Sequence, residues 1–206
     1  MTDTPSPAAA SAPMTDADIL GAFEDSGAIL SGHFVLTSGR HSGRYVQCAR
    51  VLEDPELTTR FAREMVRRLG AQAGGIDLVA APAVGGIVIG FAVAQALGTR
   101  FIFSEREQGK MTLRRGFDIP VGARVLIVED VVTTGGSVAE LIELVRSAGG
   151  EVVDVVSLID RGGQKAFDAR YQPLLRLEVD SWHADECELC AAEEPLTSPG
   201  SRRLSV

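Results

Sequence analysis

The chain has 206 residues, 45% of them hydrophobic and 23% charged, which is typical of a globular protein with one domain and a substantial core. The net charge is −8 and no run of Lys or Arg forms a basic surface, which disfavours a nucleic-acid partner. No stretch of about 18 apolar residues suggests a membrane span, and three cysteines are too few for a disulfide scaffold, which favours a reducing cytoplasm.

The N-terminal residues 1–13 are mostly Pro, Ala, Ser and Thr, without the basic start and apolar middle of a signal peptide. They are predicted to form a disordered tail. Thr15 and Asp18 then have the spacing of a helix-capping pair, and apolar residues follow at helical intervals. A helix is therefore predicted over 16–26.

Two short strands are predicted over 32–36 and 44–48, around a turn rich in Gly and Ser. Asp54 followed by Pro55 is typical of a helix N-cap and first helical position. The apolar pattern extends this helix to residue 69, where Gly70 ends it.

From residue 76 onward, short apolar runs alternate with helical patterns. Strands are predicted over 76–81, 99–103, 124–128 and 151–159, and helices over 85–97 and 136–148. Because the strands are almost continuously apolar, we expect an α/β fold with a parallel sheet covered on both faces. The polar residues 104–116 are predicted to form a long loop, which is uncommon unless it is functional. Residues 181–206 lose periodicity and are predicted to form a C-terminal extension with one or two ordered turns.

The strongest chemical signal follows the strand 124–128. Two acids, Glu129 and Asp130, come first, and then Thr133-Thr-Gly-Gly-Ser137 opens a helix. Ligands of open α/β sheets bind beyond the carboxyl ends of the strands, and helix N-termini with flexible backbone and hydroxyls suit phosphate. Carboxylates ahead of a phosphate-binding loop suit a sugar phosphate. A Walker A loop is excluded because no Lys follows the glycines.

Residues 125–137 resemble the 5-phosphoribosyl 1-pyrophosphate (PRPP) motif of the type I phosphoribosyltransferases. The resemblance implies a twisted, mainly parallel sheet flanked by helices, in a domain over 14–180 whose N-terminal hood spans about 14–50. It also implies Mg²⁺ held through the substrate, with no confident ligand among protein side chains. The PRPP contacts it implies in this segment are Glu129, Asp130, Val131, Val132, Thr133, Thr134, Gly135, Gly136 and Ser137.

Further stretches are similar to orotate phosphoribosyltransferases. Residues 32–45 resemble the hood, which implies a contact between Phe34 and orotate, although many members carry Lys where this chain has Thr37. Residues 81–86 resemble the pyrophosphate loop, which implies a PRPP contact at Ala83. Some members have Lys at the position of Gly85, so only backbone donors are expected here.

Residues 104–116 resemble the mobile catalytic loop that closes over the neighbouring subunit's active site, which implies a homodimer with shared sites. The loop has fewer lysines than the commoner form and lacks its His. Lys110 is the implied catalytic cation and Arg106 a second PRPP contact, while Glu129 and Asp130 stabilise the reacting sugar. Arg161 matches the family's carboxylate-binding Arg, and Thr133 is a further implied orotate contact.

The resemblance predicts transfer of the phosphoribosyl group of PRPP to orotate, yielding orotidine 5′-phosphate in pyrimidine biosynthesis. A purine phosphoribosyltransferase and a nucleotide-binding regulator on the same fold remain alternatives. A separate pattern, His183-x3-Cys187-x2-Cys190, has metal-binding spacing but supplies three ligands, with Cys48 or Asp185 as a conceivable fourth. A reduced or packed thiol pair is the favoured interpretation of that pattern.

Overall fold

The computed structural model describes residues 12–36, 38–162 and 166–198. Most of the predicted tail 1–13, and Thr37, lie outside the described residues. The strands are β1 (Ile29–Val35), β2 (His41–Val46), β3 (Leu78–Pro82), β4 (Arg100–Glu107), β5 (Lys110–Leu113), β6 (Arg124–Val132), β7 (Glu151–Asp160), β8 (Tyr171–Arg176) and β9 (Leu196–Thr197). The α-helices are α1 (Asp16–Asp25), α2 (Ala49–Leu52), α3 (Pro55–Leu69), α4 (Gly86–Leu97), α5 (Gly136–Ser147) and α6 (Glu188–Ala191).

The central sheet has six strands in the order β5-β4-β3-β6-β7-β8. All neighbours pair in parallel except β4 and β5, which are antiparallel. The predicted mainly parallel sheet flanked by helices is therefore confirmed. The carboxyl ends of β3, β4, β6 and β7 meet at one edge, which positions the site described below.

Strand β6 shows why the apolar runs are continuous. Leu126 and Val128 pack into a core cluster with helices α3 and α4, whereas Val125 and Ile127 pack on the opposite face with α5. All four side chains are fully buried. Because successive side chains of a strand point to opposite faces, a strand covered on both sides needs apolar residues at every position.

Two helices begin where their capping residues predict. Thr15 and Asp18 form a reciprocal capping box at α1. Asp54 accepts hydrogen bonds from the first-turn amides of α3, and Pro55 occupies its first position. Both predicted helices are confirmed. Among the described residues, no helix combines the length and apolarity that a membrane span requires.

A second, three-stranded sheet has the order β2-β1-β9; it contains the two strands of the predicted hood and is called the hood below. Strands β1 and β2 are antiparallel, and β9, from the C-terminal segment, adds in parallel to β1. His41 and Trp182 exchange two backbone hydrogen bonds of 2.9 Å. The C-terminal segment is thus attached to the hood at two places.

The observed strands differ from the prediction in three places. Residues 104–116 do not form a long loop: β4 and β5 pair as a hairpin, with Gln108 and Gly109 both at positive φ in the turn. Strand β6 continues through the two acids to Val132, four residues beyond its predicted end. The edge strand β8 was not predicted, because Pro173 interrupts its apolar pattern.

Candidate active site

The acidic pair lies at the carboxyl end of β6, still within the strand. The Glu129 side chain is buried, and its Oε1 accepts a 3.1 Å hydrogen bond from the Asp130 amide. Burial raises the pKa of the Glu129 carboxyl well above its ordinary value, and the neighbouring Asp130 charge raises it further. Two carboxyl groups therefore lie side by side at this edge of the sheet, where their oxygens can accept hydrogen bonds from ligand hydroxyls.

The loop from Thr133 to Ser137 follows directly and leads into α5. Gly135 has φ +76°, a left-handed conformation that favours glycine, and its carbonyl accepts the Ala139 amide at 2.9 Å. Thr133 and Thr134 are exposed. The first amides of a helix have no intrahelical partner, so this loop offers N–H groups and hydroxyls to an anion.

The β3–α4 connection approaches the acidic pair closely. The Asp130 carboxylate lies so near Gly85 that any side chain at this position would collide with it. The Ala83 amide donates to the Ser104 carbonyl at 2.8 Å, and the Ala83–Val84 peptide is cis. A side chain at position 85 would therefore require the Asp130 carboxylate to move.

Arg161 begins the segment after β7 and is anchored by its amide, which donates to the Val132 carbonyl at 2.8 Å. Its side chain is half-buried, and within the described part of the chain its buried Nε has no hydrogen-bond partner. Burial lowers the pKa of this guanidinium, an effect that the Tyr45 phenol partly offsets. The neighbouring Asp160 carboxylate accepts the Gly162 amide at 2.8 Å and lies 3.6 Å from Arg176 Nε.

The hood faces this Arg. Burial raises the pKa of the Tyr45 phenol, Arg161 lowers it and Asp130 raises it, so the phenol lies within electrostatic range of both charges. Phe34 is buried, with its ring 5.8 Å from that of Tyr45. The sequence left Tyr45 open as a core or a substrate-facing residue, because its approach to Arg161 depends on how the hood folds over the sheet.

The hairpin carries the two remaining predicted residues. Arg106 donates two hydrogen bonds, of 2.8 and 2.7 Å, to the Glu140 carboxylate on α5. Lys110 is exposed directly after the turn. The structure therefore gathers the acidic pair, the loop from Thr133 to Ser137, Ala83, Arg161 and the hood at one edge. Arg106 is held in an ion pair with Glu140 beside them.

The predicted Cys187–Cys190 pattern has different neighbours from those expected. Cys48 lies elsewhere, with its thiol 3.9 Å from the Asp130 carbonyl. His183 and Asp185 also fall outside the group of potential metal ligands that contains the two cysteines. That group is completed by His33 and His41 instead.

Comparison with known proteins agrees with this geometry. Residues 50–188 match the phosphoribosyl transferase domain family. The orotate phosphoribosyltransferases of Desulforamulus reducens and Pelotomaculum thermopropionicum are each 49% identical, and the alignments cover 93% of this chain and all of theirs. The crystal structure of orotate phosphoribosyltransferase from Aeropyrum pernix superposes with a TM-score of 0.68 at 28% identity, covering 77% of this chain and 93% of that one.

Proposed function

The chain belongs to the orotate phosphoribosyltransferases, which have the type I phosphoribosyltransferase fold, and we propose that the site described above transfers phosphoribosyl from PRPP to orotate. Arg161 is the main support for orotate as the acceptor of the phosphoribosyl group. A half-buried guanidinium whose Nε is unpartnered among the described residues suits a carboxylate ligand. Orotate has such a carboxylate, whereas the common purine bases have none.

The loop between β6 and α5 binds the 5-phosphate in this proposal. The amides of Gly136 and Ser137 and the hydroxyls of Thr133, Thr134 and Ser137 are the donors. Support comes from the left-handed Gly135, which turns the chain into the helix. The adjoining Val131 and Val132 continue the strand to the point where the ribose would lie.

The carboxylates of Glu129 and Asp130 hold the ribose hydroxyls. During transfer, the bond from C1 to a pyrophosphate oxygen breaks and a bond from C1 to a ring nitrogen of orotate forms, while the proton of that nitrogen passes to the departing pyrophosphate or to water. Positive charge develops on the sugar, and the two carboxylates stabilise it. Orotate provides its own nucleophilic nitrogen, so positioning and electrostatics supply most of the rate enhancement.

The orotate ring would lie between the hood and the end of β7. Arg161 pairs with the carboxylate, Thr133 and Tyr45 contact the ring or its polar atoms, and Phe34 supports Tyr45 from behind. This arrangement is supported by the electrostatic proximity of Tyr45 to Arg161 and the 5.8 Å ring separation of Phe34 and Tyr45.

The departing pyrophosphate would meet the Ala83 backbone and the hairpin. Lys110, exposed after the hairpin turn, is free to reach an active site when the hairpin moves. Arg106 would first have to leave Glu140, so its contribution depends on that ion pair opening. Lys110 is therefore the main cation proposed for the leaving group.

Mg²⁺ fits this site. The carboxylates of Glu129 and Asp130 provide the hard oxygen ligands that it prefers, at the edge where the substrate oxygens would lie. When bound, it would neutralise charge on the pyrophosphate and polarise the ribose hydroxyls. Because Glu129 is buried, substrate oxygens and water would supply most of the Mg²⁺ ligands.

A homodimer with shared sites is the proposed assembly. Val84, Val88 and Phe91 are 82%, 48% and 59% exposed and form an apolar strip from the β3–α4 loop along α4. Sedimentation should give a dimer for the wild type and a monomer for Phe91→Asp. Val121→Asp, at an apolar position outside the strip that is 88% exposed, is the matched control. A dimeric Phe91→Asp would exclude the strip as the interface.

None of the three cysteines forms a disulfide, which supports the proposed cytoplasmic location. The test of function is an incubation with orotate, PRPP and Mg²⁺ in which orotate absorbance is followed. We expect a PRPP-dependent decrease. Unchanged absorbance, with consumption of adenine or hypoxanthine instead, would refute the orotate assignment.

A further inference from the structure

Four side chains that are far apart in the sequence converge beneath the hood. His33 lies on β1, His41 on β2, and Cys187 and Cys190 lie at either end of the first turn of α6. One potential ligand atom from each lies within 4.8 Å of all the others. His33, His41 and Cys187 are buried, and Cys190 is at the surface.

The four interatomic distances are close to those of a tetrahedral metal centre: two lie within the tetrahedral range and two are slightly shorter. His33 Nε2 is 3.0 Å from His41 Nδ1, 3.5 Å from Cys187 Sγ and 3.6 Å from Cys190 Sγ. His41 Nδ1 is 3.2 Å from Cys190 Sγ. Bonds of about 2.0–2.1 Å to nitrogen and about 2.3 Å to sulfur place tetrahedral ligand atoms about 3.3–3.8 Å apart.

Hydrogen bonding alone does not account for this cluster. The other ring nitrogen of His33, Nδ1, is 2.8 Å from the Glu194 carbonyl, which can only accept. Nδ1 therefore carries the proton in neutral His33, and Nε2 offers a single lone pair to three surrounding atoms. A metal-bound His usually coordinates the ion through one ring nitrogen and donates the N–H of the other to a carboxylate, a backbone carbonyl or water. His33 has this arrangement, with the Glu194 carbonyl as the acceptor.

We propose that His33, His41, Cys187 and Cys190 bind a structural Zn²⁺ ion. Two thiolates and two imidazoles in tetrahedral arrangement favour zinc over Mg²⁺ or Ca²⁺, which take oxygen ligands. Four protein ligands leave no open position for substrate, so the role is structural. The ion joins the hood strands to the C-terminal segment.

The C-terminal segment needs such a link because it buries little apolar surface. Of residues 184–198, Cys187 alone among the described side chains is buried. The other attachments of the C-terminal segment are mostly hydrogen bonds. They include the β1–β9 pairing, the Thr197 hydroxyl bond to the His33 carbonyl at 3.0 Å, and the backbone bonds between His41 and Trp182. Zinc would fix β1 and β2, whose Phe34 and Tyr45 face the proposed orotate pocket.

Elemental analysis of the metal content tests the proposal. The sample is untagged, full-length protein dialysed against metal-free buffer. We expect about one zinc per chain in the wild type and close to none in His33→Ala or Cys187→Ser. His183→Ala is the matched control and should retain the full content, since His183 shares the local Cys pattern but lies outside the cluster. Zinc lost from His183→Ala and kept in His33→Ala would overturn the ligand set.

A second measurement uses wild-type protein alone, because removal of a ligand can unfold the hood. Zinc is exchanged for Co²⁺, and the visible spectrum is recorded. Two thiolates in a tetrahedral site should give strong visible cobalt bands and sulfur-to-cobalt charge transfer, lost on addition of excess Zn²⁺. A folded wild type that binds neither ion, or that contains a Cys187–Cys190 disulfide instead, would overturn the proposal.

Discussion

Replacing Arg161 with alanine removes the cation proposed to hold the orotate carboxylate. Its backbone is fixed by the 2.8 Å bond to the Val132 carbonyl, and its buried Nε has no partner within the described chain. Among the described residues, the substitution therefore breaks no side-chain hydrogen bond, and its cost should appear in substrate binding.

Truncating one partner of a buried, hydrogen-bonded charge pair costs about 2–5 kcal/mol. Arg161 is only half-buried, so we expect the lower part of this range, about 2–3 kcal/mol. At about 1.4 kcal/mol for each factor of ten, KM for orotate should rise about 30- to 150-fold. KM for PRPP should change little, because the phosphate-binding loop is untouched.

Steady-state kinetics with each substrate varied in turn measures both constants. Arg161→Lys should fall between wild type and Arg161→Ala, because it keeps the charge and loses the planar fork. Arg100→Ala is the matched control: this Arg forms an exposed ion pair with Asp118 at the amino end of β4, and both constants should stay near wild type. An unchanged orotate KM in folded Arg161→Ala would refute the assigned role.

Three further predictions concern other parts of the molecule. Hydrogen bonding to Arg67 lowers the pKa of Glu64 from 4.5 to about 2. This shift corresponds to about 3 kcal/mol of stability at neutral pH, which is lost as the pH falls from 4.5 towards 2. Urea unfolding of Glu64→Gln should therefore show lower stability at pH 7 and a weaker loss between pH 5 and 2; parallel pH curves would contradict this. Gly85→Ala should displace the Asp130 carboxylate and reduce kcat at least tenfold in a protein with wild-type circular dichroism; wild-type turnover would show that the displacement is harmless. Lys110→Ala should lower kcat far more than it raises either KM, and equal turnover would remove Lys110 from the mechanism.

The sheet and two of its flanking helices could be predicted from the sequence, because the apolar pattern and the capping residues favour the same elements that the folded protein contains. Val125–Val128 is apolar at every position and is buried on both faces, and Thr15 and Asp54 cap their helices as their positions predict. Strand β6 was predicted too short because its last residues include Glu129 and Asp130. Parallel pairing with β7 extends to Val132 and holds these two acids in the strand. Tertiary structure therefore overrides the low strand propensity of acidic residues.

The contents of the site were less accessible to sequence reasoning. The PRPP-like segment is contiguous, so its residues could be named from the sequence alone. Tyr45 approaches Arg161 across 116 positions, and His33 meets Cys187 across 154. His183 was the expected partner of the two cysteines because it is near in sequence, whereas the strand pairing of the hood brings His33 and His41 to them.

The most direct measurement of the proposed reaction is its stoichiometry, followed by phosphorus NMR with PRPP, Mg²⁺ and either orotate or adenine. With orotate we expect one orotidine 5′-phosphate and one pyrophosphate for each PRPP consumed, and with adenine no nucleotide product. Equal PRPP consumption with and without orotate, yielding ribose 5-phosphate, would contradict transfer to orotate.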